Sequence, residues 1–242
     1  MDYYKLMEQD FNKYKKLGFL LTNDTAYSEL VFNLFKRIYF INITNTKAEF
    51  RGRFSNDFYK ISFSCLVEAL LLFSQNYIRA SSLVLRSAIE NYLKHQLQIN
   101  NAKINDRVYL ENKIKFDEVI NSKNYKDNEK LSLIKFNEKL LTLYKRLSGF
   151  SHSLTIESKN LQIDFISDFN NLLDNNIRIL YNHFRSTLDY FIMLNIHTLK
   201  ESLTYWSRDD LNNFFRIVMG NKRIKRLIRI IKDNEDLRFD EI

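Results

Sequence analysis

Apolar side chains recur along this chain at steps of three and four, not two, and that period predicts helices from end to end. Tyr3 to Lys16 has the pattern of a heavily charged helix. Gly18, then Thr22-Asn23-Asp24-Thr25, supplies a stop and a fresh N-cap, with a second helix expected to about Ile43. Asn45 to Asn56, which holds Arg51, Gly52, Arg53 and Ser55, reads as a loop. A third helix begins near Asp57 and passes through Cys65 and Leu72. A fourth follows almost at once. Its stretch from Ala80 to Leu93 is apolar on most of its circumference, which assigns it to the core.

From Asn100 to about Asn128 the pattern turns polar, with turn signals at Asn100-Asn101, Asn105-Asp106 and Asn121-Ser122. This predicts a long connector with one short helix, the most mobile part of the chain. A fifth helix is expected from Glu129 to Arg146, ending at Ser148-Gly149 where glycine takes a left-handed cap, followed by a short loop with His152. Asp164 to about Thr204 reads as one or two long amphipathic helices, striped by Phe165, Phe169, Leu172, Leu173, Ile177, Leu180, Phe184, Leu188, Phe191 and Leu194. Beyond Trp206 come a short helix from Asp209 to Val218, a break at Gly220 and a basic segment from Asn221 to Lys232. With no alternating run to make a strand, the expected fold class is all-α. Residues 57–204 form the expected bundle, 1–56 an N-terminal helical addition and 205–242 a basic C-terminal appendage.

Composition sharpens this picture. Among 242 residues there is no proline, and four glycines leave little punctuation for β-turns. The single cysteine, Cys65, sits in the apolar run Phe63 to Val67, so a buried reduced thiol and a reducing cytoplasm are expected. Met1 to Lys5 shows no apolar leader run, and Glu68, Arg79, Arg185 and Asp189 interrupt the most apolar stretches, so no stable membrane insertion is expected. The formal net charge of +8 favours polyanionic partners, nucleic acid first. The rich Lys, Asn, Ile, Phe and Tyr usage is also what an AT-rich genome encodes, so charge alone names no partner.

Several chemistries fail at the level of motif. There is no GxxxxGK[ST] or GxGxxG loop, no HExxH and no cysteine pair, and His95, His152, His183 and His197 lie on different predicted elements without metal-ligand spacing. The reading therefore assigns no metal and no cofactor. Two local groups remain. Arg86 and Glu90, four apart on one helix face, are either a structural ion pair or site residues. Leu83, Leu85, Ile89, Tyr92 and Leu93 around them make buried charge costly unless structure or function requires it. Arg146 to His152 brings a guanidinium and an imidazole to a helix-to-loop junction. The imidazole can take a proton from a ribose 2′-hydroxyl or return one to a leaving 5′-oxygen, and the guanidinium fork suits a phosphoryl group. The plainer alternative is an arginine on helix carbonyls and a surface histidine.

The string from Arg146 to His152 resembles the R-x(4–6)-H motif of HEPN domains, and its place late in an all-α bundle is where that superfamily carries it. Arg86-x-x-x-Glu90 with His152 far downstream is similar to the Arg-Glu-His arrangement of PrrC and RloC type anticodon nucleases of the same superfamily. Leu85-Arg86-Ser87-x-x-Glu90 also looks like the LRS-x-x-E helix of many HEPN-like bacterial proteins. The resemblance covers roughly Asp57 to Thr204. It implies a metal-independent endoribonuclease acting on RNA, tRNA included, as a homodimer that leaves a 2′,3′-cyclic phosphate. The implied setting is phage defence, abortive infection or toxin action, with a regulatory or antitoxin partner. It further implies His152 as general acid/base, Arg86 or Arg146 as phosphate clamp, and Glu90 as orienter. The chain departs from the usual motif in that Leu147 and Ser148 follow the arginine where Asn, Asp or His often stands, and it lacks the ATPase half of PrrC-type enzymes.

A third feature is the basic helix, where Lys222, Lys225, Arg226, Arg229 and Lys232 collect on one side and Ile224, Leu227, Ile228 and Ile231 on the other. It fits a docked helix, a phosphate-backbone binder or a membrane-surface segment. A non-catalytic interaction module using the bundle and this helix is the rival to the nuclease reading. Among the aromatics, Tyr92, Tyr144 and Phe150 lie nearest the candidate site, with core packing or base stacking as their uses.

Overall fold

The computed structural model describes residues 2–20, 25–151 and 175–233. Among them every regular element is helical: α1 (Tyr3–Lys16), α2 (Thr25–Thr46), a 3-10 turn (Arg51–Arg53), α3 (Asp57–Ser74), α4 (Ile78–Ile99), α5 (Tyr109–Ser122), α6 (Asp127–Ser151), α7 (Asn175–Leu203), α8 (Arg208–Phe215) and α9 (Asn221–Lys232). The fold is all-α. None of these helices is long and apolar enough to cross a membrane.

Local chemistry sets many of the boundaries. Asp2 caps α1 by accepting from the amides of Tyr4 and Lys5, and Gly18 behind its C-terminus has φ of 76°, a conformation costly for other residues. Asn56 caps α3 through the Tyr59 amide, and Ser207 caps α8 through the Asp210 amide. α6 departs from expectation: it runs on through Ser148 and Gly149 to Ser151, so Gly149 continues the helix and does not terminate it. The stretch from Asn100 to Asn128 holds the one helix expected of it, but α5 takes fourteen of its residues and packs against α4 and α6. Its buried positions Tyr109, Asn112, Phe116 and Ile120 keep helical spacing, but one is polar and the intervening residues are mostly charged.

The most extensive packing is between α3 and α4, joined by the three residues Gln75 to Tyr77 with Asn76 at φ of 62°. Ser62 Oγ donates to the Ala88 carbonyl and Ser81 Oγ to the Ala69 carbonyl, each at 2.8–2.9 Å, so the two helices run antiparallel with small residues at the seam. α4 is central and touches α3, α5, α6 and α7, while α2 lies on α7 and α3, α1 on α2 and α8, and α9 on α8 and α7. One buried apolar cluster extends from Met7 to Ile231. Of the expected stripe on α7, Ile177, Leu180, Phe184, Leu188, Phe191 and Leu194 are buried, whereas Phe165, Phe169, Leu172 and Leu173 lie outside the described residues.

A polar network crosses this core. Tyr92 Oη on α4 donates to Asn195 Oδ1 on α7 at 2.7 Å, Asn195 Nδ2 donates to Tyr59 Oη on α3, and Tyr59 Oη donates to Asn45 Oδ1 on α2. Beside it His95 is fully buried among Phe54, Tyr59 and Tyr92, and its Nδ1 lies 2.9 Å from Asn56 Nδ2. Because Asn56 Oδ1 already accepts from the Tyr59 amide, its Nδ2 must donate, which puts the His95 proton on Nε2. Burial lowers the His95 pKa to about 3.

Candidate functional site

Arg86 lies in the middle of α4, half-buried, where it meets α6. Its guanidinium donates from Nη2 to Tyr144 Oη at 2.8 Å and lies 4.9 Å from the centre of that ring. Tyr144 stacks on Tyr109 of α5 at 3.8 Å between centroids and 5° between planes, so cation, ring and ring form a layered contact across three helices. The Tyr109 hydroxyl is buried and has no hydrogen-bond partner among the described residues. Burial first, then Tyr144, Glu90 and Asp117, push its pKa far up. One turn along α4, Glu90 pairs with Lys94 at 3.4 Å, and the nearly buried Lys94 also donates to the Asp106 carbonyl at 3.0 Å.

Arg146 behaves differently from Arg86. It is exposed on α6, two residues past Tyr144, and two residues turn an α-helix by about 200°. Tyr144 faces α4 and α5, whereas the positive charge of Arg146 acts on His183 of α7. His183 is half-buried, and its pKa is lowered first by burial and then by Arg146; its Nδ1 is buried without a partner among the described residues. The fold therefore brings Arg86 and Glu90 to one flank of α6 and Arg146 with His183 to another. His152 follows α6 directly and lies outside the described residues.

Sequence reasoning passed over His183 as a partner for Arg146. The signal for it was its position between Leu180 and Thr187 on the edge of the α7 stripe, where an imidazole is half-covered by a neighbouring helix. His197 pairs with Glu129 at 3.0 Å and His95 is a core residue, so neither joins this region. Tyr92 is also core, stacked on Phe191 at 3.8 Å. Cys65 is half-buried, less enclosed than expected, with its thiol pKa pushed up by burial and by Glu68.

The basic helix α9 is docked. Ile224, Leu227, Ile230 and Ile231 are buried, Lys222, Lys225 and Arg229 are exposed, and Arg226 is partly covered. Lys232 departs from the expected cationic face: its ammonium donates to the Thr204 carbonyl at 2.6 Å and to the Trp206 carbonyl, in the turn that joins α7 to α8.

Chemically, the α6–α7 flank offers an exposed guanidinium and, within reach of its charge, a half-buried imidazole held toward its neutral form. The first suits a phosphate oxygen and the second can accept a proton. No family model matches the chain, and neither a curated protein nor a solved structure matches it.

Proposed function

We propose that this protein is a metal-independent endoribonuclease of the HEPN kind. The observation that carries the reading is the exposed Arg146 guanidinium in the last two turns of α6, whose charge reaches His183 of α7 and which stands six residues before His152. A cation whose charge reaches an imidazole on the next helix, with His152 six residues further along the sequence, suits an RNA phosphodiester. On this reading Arg146 binds the scissile phosphate and stabilises the charge that grows on its oxygens. His152 takes the proton of the ribose 2′-hydroxyl as that oxygen attacks phosphorus. The P–O5′ bond breaks, the departing 5′-oxygen takes up a proton, and a 2′,3′-cyclic phosphate and a 5′-hydroxyl result. Arg86, held by Tyr144, contributes through the partner copy of a homodimer, and Glu90, paired with Lys94 in this chain, orients a base or an arginine. Action in phage defence or as a toxin in the cytoplasm, under a regulatory or antitoxin partner, belongs to the same proposal.

Incubation of wild-type and His152→Ala protein with total cellular RNA in excess EDTA, followed by mapping of 5′-hydroxyl ends, tests it. Discrete cuts by wild type are expected, falling at least a hundredfold in the variant. Equal cutting by both, or none by either with a phage-infected lysate added, ends the reading. A second reading has its own observation: α9 is seated through its apolar side with Lys222 and Lys225 outward, as a phosphate-backbone binder requires. Under this interaction-module reading, Lys222→Glu with Lys225→Glu abolishes nucleic-acid binding and any cellular phenotype, while His152→Ala changes neither.

A further inference from the structure

α2 holds three charged residues in 22, and two of them, Lys36 and Arg37, stand side by side in the apolar run from Leu34 to Ile38. The Arg37 side chain is only 7% exposed. Its Nε donates to Asp189 Oδ1 on α7 at 2.6 Å, and its Nη1 donates to the Asn33 carbonyl at 2.8 Å. Arg185, one turn before Asp189, places its Nε 3.7 Å from the other carboxylate oxygen. Lys36 is half-buried, and its pKa is lowered first by burial, then by Arg37 and Arg185, with Asp189 opposing. Arg37 and Arg185 thus flank one carboxylate, with Lys36 next to Arg37 along α2, a formal excess of two positive charges at a seam between packed helices.

An ion pair that only fastened α2 to α7 would need one arginine and one aspartate. The surplus lysine and arginine raise the cost of the site through mutual repulsion, and partial burial adds to that cost at Lys36. An anion with several acceptor oxygens removes that cost, and guanidinium forks with an ammonium are the donors that phosphate takes. The surroundings extend the site in one direction. Arg178, Asn182, Arg185 and Asp189 recur on α7 at steps of four, three and four, so they form one stripe, and Arg178, Asn182 and Arg185 are exposed. That stripe covers about 16 Å toward the N-terminal end of α7, where Arg146 acts on His183.

We infer that Lys36, Arg37 and Arg185 form a phosphate-binding site that seats the RNA backbone on the α2–α7 face, remote from the reacting bond. The inference rests on the RNA reading for its ligand but not on catalysis. It assigns the cluster to affinity without sequence preference, because phosphate contacts position a strand and carry no base information.

The test is fluorescence anisotropy of a labelled single-stranded RNA with the full chain carrying His152→Ala, across a salt series. Arg37 is left in place because its buried contacts support the α2–α7 packing. Lys36→Ala with Arg185→Ala is expected to weaken binding about tenfold or more, and to reduce the slope of log affinity against log salt by about 0.7 for each phosphate no longer neutralised. Asp189→Asn removes the competing carboxylate and is expected to tighten binding, a direction that a merely structural ion pair does not produce. Parental affinity and salt slope in the double variant, with an unchanged circular dichroism spectrum, overturn the inference. Loss of thermal stabilisation by inorganic phosphate with RNA affinity intact also overturns it, assigning the cluster to a free phosphate. RNA held through the cluster but never cut by wild type ends the nuclease reading and leaves this site standing. Cutting with affinity indifferent to the double variant does the reverse.

Discussion

At the scale of single residues, His95 shows how burial sets a proton affinity. Its side chain is enclosed by Phe54, Tyr59 and Tyr92, so the charged form lacks solvent and the pKa in the folded state is about 3, against about 6.5 in an unfolded chain. Between these values the unfolded state binds a proton that the folded state refuses. The contribution is full above pH 6.5 and is lost as pH falls from there toward 3. Denaturant titrations are expected to show stability dropping by about 1.4 kcal/mol per pH unit from this residue between pH 6 and 4. His95→Gln should flatten that part of the dependence, and equal acid sensitivity in wild type and variant would sink the assignment. His183 acts in the same direction, so some acid sensitivity persists in the variant. Residue identity alone left the fate of this imidazole open; only its neighbours decided that it would be buried and neutral.

At the scale of elements, the α3–α4 hairpin depends on small side chains at its seam. Ser62, Ala69, Ser81 and Ala88 are all at most 1% exposed, and the two serines bond across to the facing helix. A larger residue there must force the helices apart. Ala88→Leu is expected to cost about 1–3 kcal/mol by overpacking, whereas Leu83→Ala, on the exposed side of α4, should stay within about 0.5 kcal/mol. Thermal melts of the two variants check the contrast, and equal midpoints would refute the close-packed seam. Both helices were legible in the sequence because their apolar period is strong and Asn56 marks the start of α3. The ends of α5 and α6 were harder to read. Gly149 lies inside α6 because a glycine stops a helix only when the following chain departs into a left-handed turn, a condition set beyond the local sequence.

At the scale of the whole molecule, the segments 1–56 and 205–242 contribute to the same buried cluster as the helices between them. α9 meets α7 and α8 through Ile224, Leu227, Ile230 and Ile231, and Lys232 closes the contact on the Thr204 and Trp206 carbonyls between α7 and α8. Leu227, fully buried, is the sharpest probe. Leu227→Ala is expected to lower global stability by about 2–5 kcal/mol in denaturant unfolding, in a single transition. An unchanged midpoint, or an early separate transition, would show instead that α9 is only tethered to the fold. The same integration holds Lys222 and Lys225 of the docked α9 in a fixed relation to α7 and α8.

The sequence by itself determined the fold class, most helix positions and the side of α9 that carries charge, because each depends on spacing within a few turns of one helix. It also offered Arg86, Glu90, Arg146 and His152 as one group, since residue type and order were all it could compare. Tertiary structure alone decided that Arg86 meets Tyr144 while the charge of Arg146 reaches His183, and that Asp189 gathers Arg37 and Arg185 from two helices. The partners on different helices lie between about forty and 150 positions apart. Their meeting follows from helix rotation and crossing, to which every packed side chain in the core contributes and which no local pattern records.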